Sequence, residues 1–137
     1  MPIWPFSSAH DAPEASTPIM VVDDDSAVRE QLVRVLLDAG FSAVPAADGE
    51  EALELARKIR PRLVLLDLGL PGKSGWAMLV SLTRLLPTLS VIIITAEPNQ
   101  ADAARAAGAG AFFEKPLDFP ALLKAVRTLT FTAPQTT

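Results

Sequence analysis

Leu63-Val64-Leu65-Leu66-Asp67-Leu68-Gly69-Leu70-Pro71-Gly72 is the stretch whose reading decides the fold. Four consecutive apolar residues carry one carboxylate to the end of a strand, and Leu70-Pro71-Gly72 turns the chain away before a helix can start. A buried carboxylate without a partner is costly, so its partners are to be sought at other strand ends. Three further runs end on polar groups: Ile19-Met20-Val21-Val22 on Asp23-Asp24-Asp25, Val91-Ile92-Ile93-Ile94 on Thr95, and Ala111-Phe112-Phe113-Glu114 on Lys115-Pro116. Continuous apolar runs separated by helical patterns indicate parallel strands covered on both faces. In such sheets the ligand site lies beyond the carboxyl ends of the strands, so all these groups are expected on one rim.

The chain has 137 residues, enough for one domain with a proper core. Half of the residues are hydrophobic, yet no run approaches the roughly 20 apolar residues that cross a bilayer, so a soluble single domain is expected. Twelve basic and sixteen acidic residues leave a net charge of −4, which argues against bulk attraction to nucleic acid or an anionic membrane. The absence of cysteine excludes disulfides and thiolate metal sites and suits a reducing compartment. Met1-Pro2-Ile3-Trp4-Pro5-Phe6 has neither a basic start nor a long apolar stretch, so no secretion signal is read there.

In chain order, residues 1–17 read as a flexible N-terminal arm in which Trp4 and Phe6 are candidate anchors. Asp25 or Ser26 caps a first helix that carries Val28, Leu32, Val35 and Leu36 inward and stops at Gly40. The second strand, about Ser42 to Ala46, contains Pro45, which cannot donate to a ladder and belongs on a sheet edge. That placement matches the order 2-1-3-4-5, in which the first and third strands are neighbours and Asp23-Asp24 lies beside Asp67. Asp48, with Glu51 three residues on, starts a second helix; Arg57, Lys58, Arg60 and Arg62 crowd its far end as a solvated face. A third helix, about Gly75 to Leu86, turns Met78, Leu79, Leu82, Leu85 and Leu86 inward and leaves Trp76 and Val80 as a candidate contact patch. Pro98 suits the first turn of an Ala-rich fourth helix, and Asp118 caps a fifth with Leu122, Leu123, Val126 and Leu129 as its stripe.

Asp24 and Asp67 at adjacent strand ends, with Asp23 alongside, concentrate negative charge that raises pKa values or demands a cation. Oxygen ligands without His or Cys favour a hard divalent ion such as Mg²⁺. Lys115 adds an ammonium and Thr95 a hydroxyl, a set that suits a phosphoryl group carried on a carboxylate.

With these motifs in register, the sequence resembles the receiver domain of two-component response regulators. The likeness rests on Val-Val-Asp-Asp-Asp (21–25), Leu-Leu-Asp-Leu-Gly-Leu-Pro-Gly (65–72), Ile-Ile-Thr-Ala (93–96) and Phe-Glu-Lys-Pro (113–116). It implies a flavodoxin-like, doubly wound (βα)5 α/β fold at residues 18–130, with a C-terminal tail at 131–137 and no attached output domain. It further implies that Asp67 takes phosphoryl from a sensor histidine kinase or phosphotransfer protein. Mg²⁺ would be held by Asp24, Asp67 and the Gly69 backbone carbonyl, with Asp23 acting through water. Lys115 would pair with a phosphoryl oxygen across a cis Lys115-Pro116 bond, and Thr95 and Phe112 would be the switch residues. Such a domain is a cytoplasmic signalling module that catalyses only its own phosphorylation and dephosphorylation. It signals to a downstream protein, without direct contact to nucleic acid or membrane, and the fourth helix, fifth strand and fifth helix could also pair two copies.

Three positions depart from the commoner family pattern. Phe112 replaces a frequent Tyr, so an inward ring is expected even before phosphorylation, because burial then strands no hydroxyl. Ser74 stands where Asp commonly precedes the glycine and can still cap the helix. Gly69 leaves the acceptor uncovered and, with Glu97, is expected to set how readily water reaches an acyl phosphate. Two other functions compete: a constitutive binding module with an unused acidic pocket, and an aspartyl-phosphate phosphatase. The latter usually places a second Asp two residues after the nucleophile, where this chain has Gly69.

Overall fold

The computed structural model describes residues 18–70 and 74–132, the last two as backbone alone. The arm at 1–17 with Trp4 and Phe6, the turn residues Pro71 and Gly72, and residues 133–137 lie outside the described residues. Strands and helices alternate without exception: β1 (Ile19–Val22), α1 (Ser26–Asp38), β2 (Ala43–Ala46), α2 (Gly49–Ile59), β3 (Leu63–Asp67), α3 (Gly75–Leu85), β4 (Ser90–Thr95), α4 (Ala101–Ala106), β5 (Ala111–Glu114) and α5 (Phe119–Thr132). The sheet is parallel throughout, in the order β2-β1-β3-β4-β5, with β2 and its exposed Pro45 on the edge as expected.

Side chains alternate between two apolar layers, because successive strand residues point to opposite faces. Met20, Val22, Val64, Leu66, Val91 and Ile93 meet α2, α3 and α4 through Ala52, Ala56, Met78, Leu79, Leu82 and Ala104. Ile19, Val21, Leu63, Leu65, Ile92 and Ile94 meet α1 and α5 through Leu32, Leu36, Leu122 and Val126. Each such fully buried Leu, Ile or Val contributes roughly 2 kcal/mol relative to an exposed position, and this burial outweighs the weak intrinsic helix preference of Val-rich α1.

Side-chain oxygens close the helix starts. Asp25 accepts from the Ala27 and Val28 N–H groups, Asp48 from Glu51, Ser74 from Ala77 and Asp118 from Ala121. Glu51 also reaches back, but to the Ala47 N–H at 2.7 Å, one residue before the cap. Arg57, Lys58 and Arg60 are exposed, in keeping with a solvated face.

Two expectations shift. The fourth helix does not take Pro98 into its first turn; it begins at Ala101, lasts six residues, and has no side-chain cap at Gln100. Asn99 adopts φ 64°, a left-handed conformation that breaks a right-handed helix before it can reach back to Pro98. At the other end α5 runs to Thr132, two residues into the segment read as a tail.

Gly75 is fixed by a close approach. A Cβ there would lie 2.4 Å from Leu68 Cα and 2.9 Å from the Asp67 carbonyl oxygen, both backbone atoms that cannot swing aside. Gly75→Ala is therefore expected to cost on the order of 1–3 kcal/mol in chemical denaturation. A midpoint equal to wild type would show that the loop after Asp67 yields freely.

Candidate functional site

Parallel pairing decides which polar groups meet. Val22 lies opposite Leu66, so Asp23 and Asp67 end their strands side by side, and Asp67 lies opposite Ile94, one residue before Thr95. Thr95 in turn lies opposite Glu114, and its carbonyl accepts from the Lys115 N–H at 2.8 Å. Asp23, Asp67 and Thr95 are the buried polar side chains among the described residues, at 0 %, 5 % and 1 % exposure. The rim inferred from four strand ends is thus assembled as expected.

Lys115 Nζ lies 3.0 Å from Asp23 Oδ2 and 3.6 Å from Asp67 Oδ2, nearer to Asp23 than to the residue expected to be the acceptor. Asp23 Oδ1 accepts from the Asp25 N–H at 3.0 Å, and Asp67 Oδ1 from the Gly69 N–H at 3.1 Å. Thr95 Oγ1 accepts from the Glu97 N–H at 3.0 Å, which leaves the hydroxyl hydrogen as a donor. A Cβ on exposed Gly69 would stand 3.7 Å from Asp67 Oδ1, in ordinary contact, so a side chain there would cover the carboxylate. Phe112 is half-buried and packs on the layer that holds Ile93 and Ala104, the inward placement expected for a ring without a hydroxyl. Trp76 packs half-buried on the same layer, whereas Val80 is 48 % exposed.

One ammonium faces two buried carboxylates. Burial raises the Asp67 pKa, the Gly69 N–H opposes that, the Asp23 charge adds to it and the Lys115 charge subtracts. Burial also works against the Lys115 charge, yet the hydrogen bond to Asp23, with the charges of Asp23 and Asp67, holds its pKa above 10.5. Lys115 therefore stays charged while Asp67 remains incompletely neutralised.

Asp23, Asp24 and Asp67 offer carboxylate oxygens that all lie within 4.8 Å of one another. Three carboxylates against one ammonium, with oxygen as the only ligand atom, fit a hard divalent cation. Asp24 is exposed and faces solvent, whereas both Asp23 oxygens are already engaged, which suits Asp23 to a water-mediated place. Two features escaped the sequence reading. Arg29 of α1 donates from Nη1 to the Asp23 carbonyl at 2.7 Å, and Gly75 lets α3 approach the Asp67 backbone. The spacing of an arginine one turn into the helix after an acidic strand end could have signalled the first; nothing local signals the second.

Residues 19–127 match the family model for the response regulator receiver domain. The response regulator MprA of Mycolicibacterium vanbaalenii is 38% identical over 113 residues, 81% of this chain and 49% of that protein. The DNA-binding response regulator MtrA of Mycobacterium tuberculosis is 37% identical over 114 residues, 80% of this chain and 48% of that protein. The chain thus spans about half the length of these curated relatives. Among solved structures, the CheY-like receiver domain protein of Methanospirillum hungatei superposes with a TM-score of 0.83 at 25% identity, covering 89% of this chain and 99% of that one. The receiver domain of NtrX from Brucella abortus does so with a TM-score of 0.80 at 33% identity, covering 84% and 99%. Fold, family match and acidic rim coincide, and the chain belongs to the response regulator receiver domains of two-component signalling.

Proposed function

We propose that Asp67 accepts a phosphoryl group from the phosphohistidine of a sensor histidine kinase or phosphotransfer protein and that the protein signals through the resulting change of surface. The observation that carries this reading is a nearly buried, incompletely neutralised carboxylate at the end of β3, within 4.8 Å of the Asp23 and Asp24 oxygens and 3.6 Å from Lys115. An Asp67 oxygen would attack phosphorus while the P–N bond breaks, its electron pair leaving on the imidazole. Lys115, drawn from Asp23, would meet the oxygen charge that Asp67 gains. Thr95 holds a hydroxyl hydrogen to donate to the same group, and Phe112 lies on the strand beside it, opposite Ile93.

Asp24, Asp67 and the Gly69 carbonyl would hold Mg²⁺, with Asp23 acting through water. The ion would neutralise phosphoryl oxygens and orient the incoming group. The chain thereby catalyses only its own phosphorylation and dephosphorylation. We read α4, β5 and α5 as the face shown to a partner or to a second copy, and the cytoplasm, where such donors act, as its location. Among the described residues no helix is long and apolar enough to cross a membrane. DNA binding, named for MtrA, is not assigned to these residues, whose chain carries a net charge of −4.

Incubation with acetyl phosphate or phosphoramidate plus Mg²⁺, read by intact mass, is expected to add one phosphate to wild type and none to Asp67→Asn. Absence of an adduct on a protein shown to bind Mg²⁺ would support the constitutive module instead. The phosphatase reading has no acid to draw on, since Gly69 stands where it would act.

Gly69→Leu is expected to shield the acyl phosphate from water and lengthen its half-life about threefold or more, on the order of 0.7 kcal/mol in the barrier. An unaltered decay rate would remove Gly69 from the mechanism. A further test is thermal and needs no phosphoryl donor. Because the native Asp67 pKa lies above its ordinary 3.8, the folded state binds the proton more tightly than the unfolded chain. Stability is then lost as the pH rises through that window, and the ionised group costs stability at neutral pH. Without divalent ions, Asp67→Asn is expected to unfold at a higher temperature than wild type at pH 7, with the gap closing as the pH falls toward 3.8. A lower midpoint for the variant at pH 7 would contradict this balance.

A further inference from the structure

We infer that Arg29 is the positioning residue for the divalent-cation site, holding Asp24 in place through the backbone on either side of it; the inference rests on the Mg²⁺ site proposed above. Asp24 is the exposed member of the carboxylate cluster, on the bend between β1 and α1. Its neighbours are tied down: the Asp23 N–H donates to the Ala46 carbonyl, the Asp23 carboxylate binds Lys115 and the Asp25 N–H, and the Asp25 side chain caps α1. Arg29 closes the segment from both ends. Its guanidinium donates to the Asp23 carbonyl at 2.7 Å, and its own backbone N–H donates to the Asp25 carbonyl at 2.9 Å.

The Asp23 carbonyl belongs to the peptide plane that joins Asp23 to Asp24. Fixing that plane fixes the direction in which the Asp24 Cα and its carboxylate leave the strand, because only φ and ψ remain soft. A guanidinium suits the task, being always charged, planar and half-buried here against the helix that carries it. Supporting groups that orient metal ligands matter nearly as much as the ligands themselves.

Charge and position pull in opposite directions, so the sign of the effect decides. As a cation near the cluster, Arg29 repels Mg²⁺, and removing it for its charge alone would tighten binding. As the clamp on Asp24, its removal loosens the ligand and weakens binding. Titration calorimetry with Mg²⁺ on the full chain, wild type against Arg29→Met and Arg29→Lys, separates the two. The Met variant is expected to raise the Mg²⁺ Kd by about tenfold, at the low end for loss of an orienting partner, and the Lys variant, which keeps a donor and the charge, to recover part of that loss. Arg29→Gln, two atoms too short to reach the Asp23 carbonyl, is expected to behave like Met and serves if the Met variant does not fold. Autophosphorylation at saturating Mg²⁺ should stay near wild type while the Mg²⁺ concentration for half-maximal rate rises. Unchanged or tighter binding in the Met or Gln variant, with Mg²⁺ bound by wild type, would overturn the role of Arg29 and leave the site itself standing. A wild-type chain that takes no Mg²⁺ would overturn both.

Discussion

Two carboxylates taken out of water beside a single ammonium form the constraint on which the rest of this structure depends. Asp23 and Asp67 end neighbouring strands, and the Lys115 that serves both comes from a strand 92 residues away from Asp23 in sequence. Neither acid is tolerable without that closure, since an unpaired buried charge is among the most expensive defects a fold can carry. Lys115 favours Asp23 at 3.0 Å over Asp67 at 3.6 Å. The better-paired acid is the fully buried one, and the residual charge falls on the acid that can be approached.

Asp23, Asp24 and Asp25 show how neighbouring residues of one kind acquire different roles from their place in the backbone. Asp23 completes the inward alternation of β1 and is sealed, Asp24 falls on the opposite side and faces solvent, and Asp25 turns into the first helical turn as its cap. The helix cap is a separate requirement from the charge cluster, because the orphan N–H groups of α1 need an acceptor whatever the rim does. The acidic triplet therefore meets a folding need and a site need at once.

What the sequence made legible was whatever depends on neighbours along the chain or on strict alternation. The apolar runs marked the strands, Pro45 marked the edge, and Asp25, Asp48, Ser74 and Asp118 marked helix starts, each by a local mechanism. Strand order then brought Asp23, Asp24, Asp67, Thr95 and Lys115 to one rim. What stayed hidden depends on conformation or contact that only the folded chain defines. Asn99 in a left-handed conformation moved the start of α4 past Pro98. The crowding at Gly75 exists because α3 packs on the Asp67 turn, and the nearer partner of Lys115 follows from the reach of its side chain over the strand ends.

The element beside the site that is held least firmly is α4. It has six residues, no side-chain cap and one buried side chain, Ala104, whose burial is worth far less than that of a Leu or Ile. It connects Thr95, at the end of β4, to β5, which carries Phe112 and leads to Lys115. Segments that move in signalling are drawn from the low-stability end of a structure, and a ligand shifts an equilibrium only by its differential affinity for the two states. A small difference in contacts at Thr95 and Lys115 is therefore enough to redistribute α4, whereas α1 and α3, each locked by a capped start and large buried side chains, resist it. The same burial that fixes the rim confines the response to the helix it leaves least anchored.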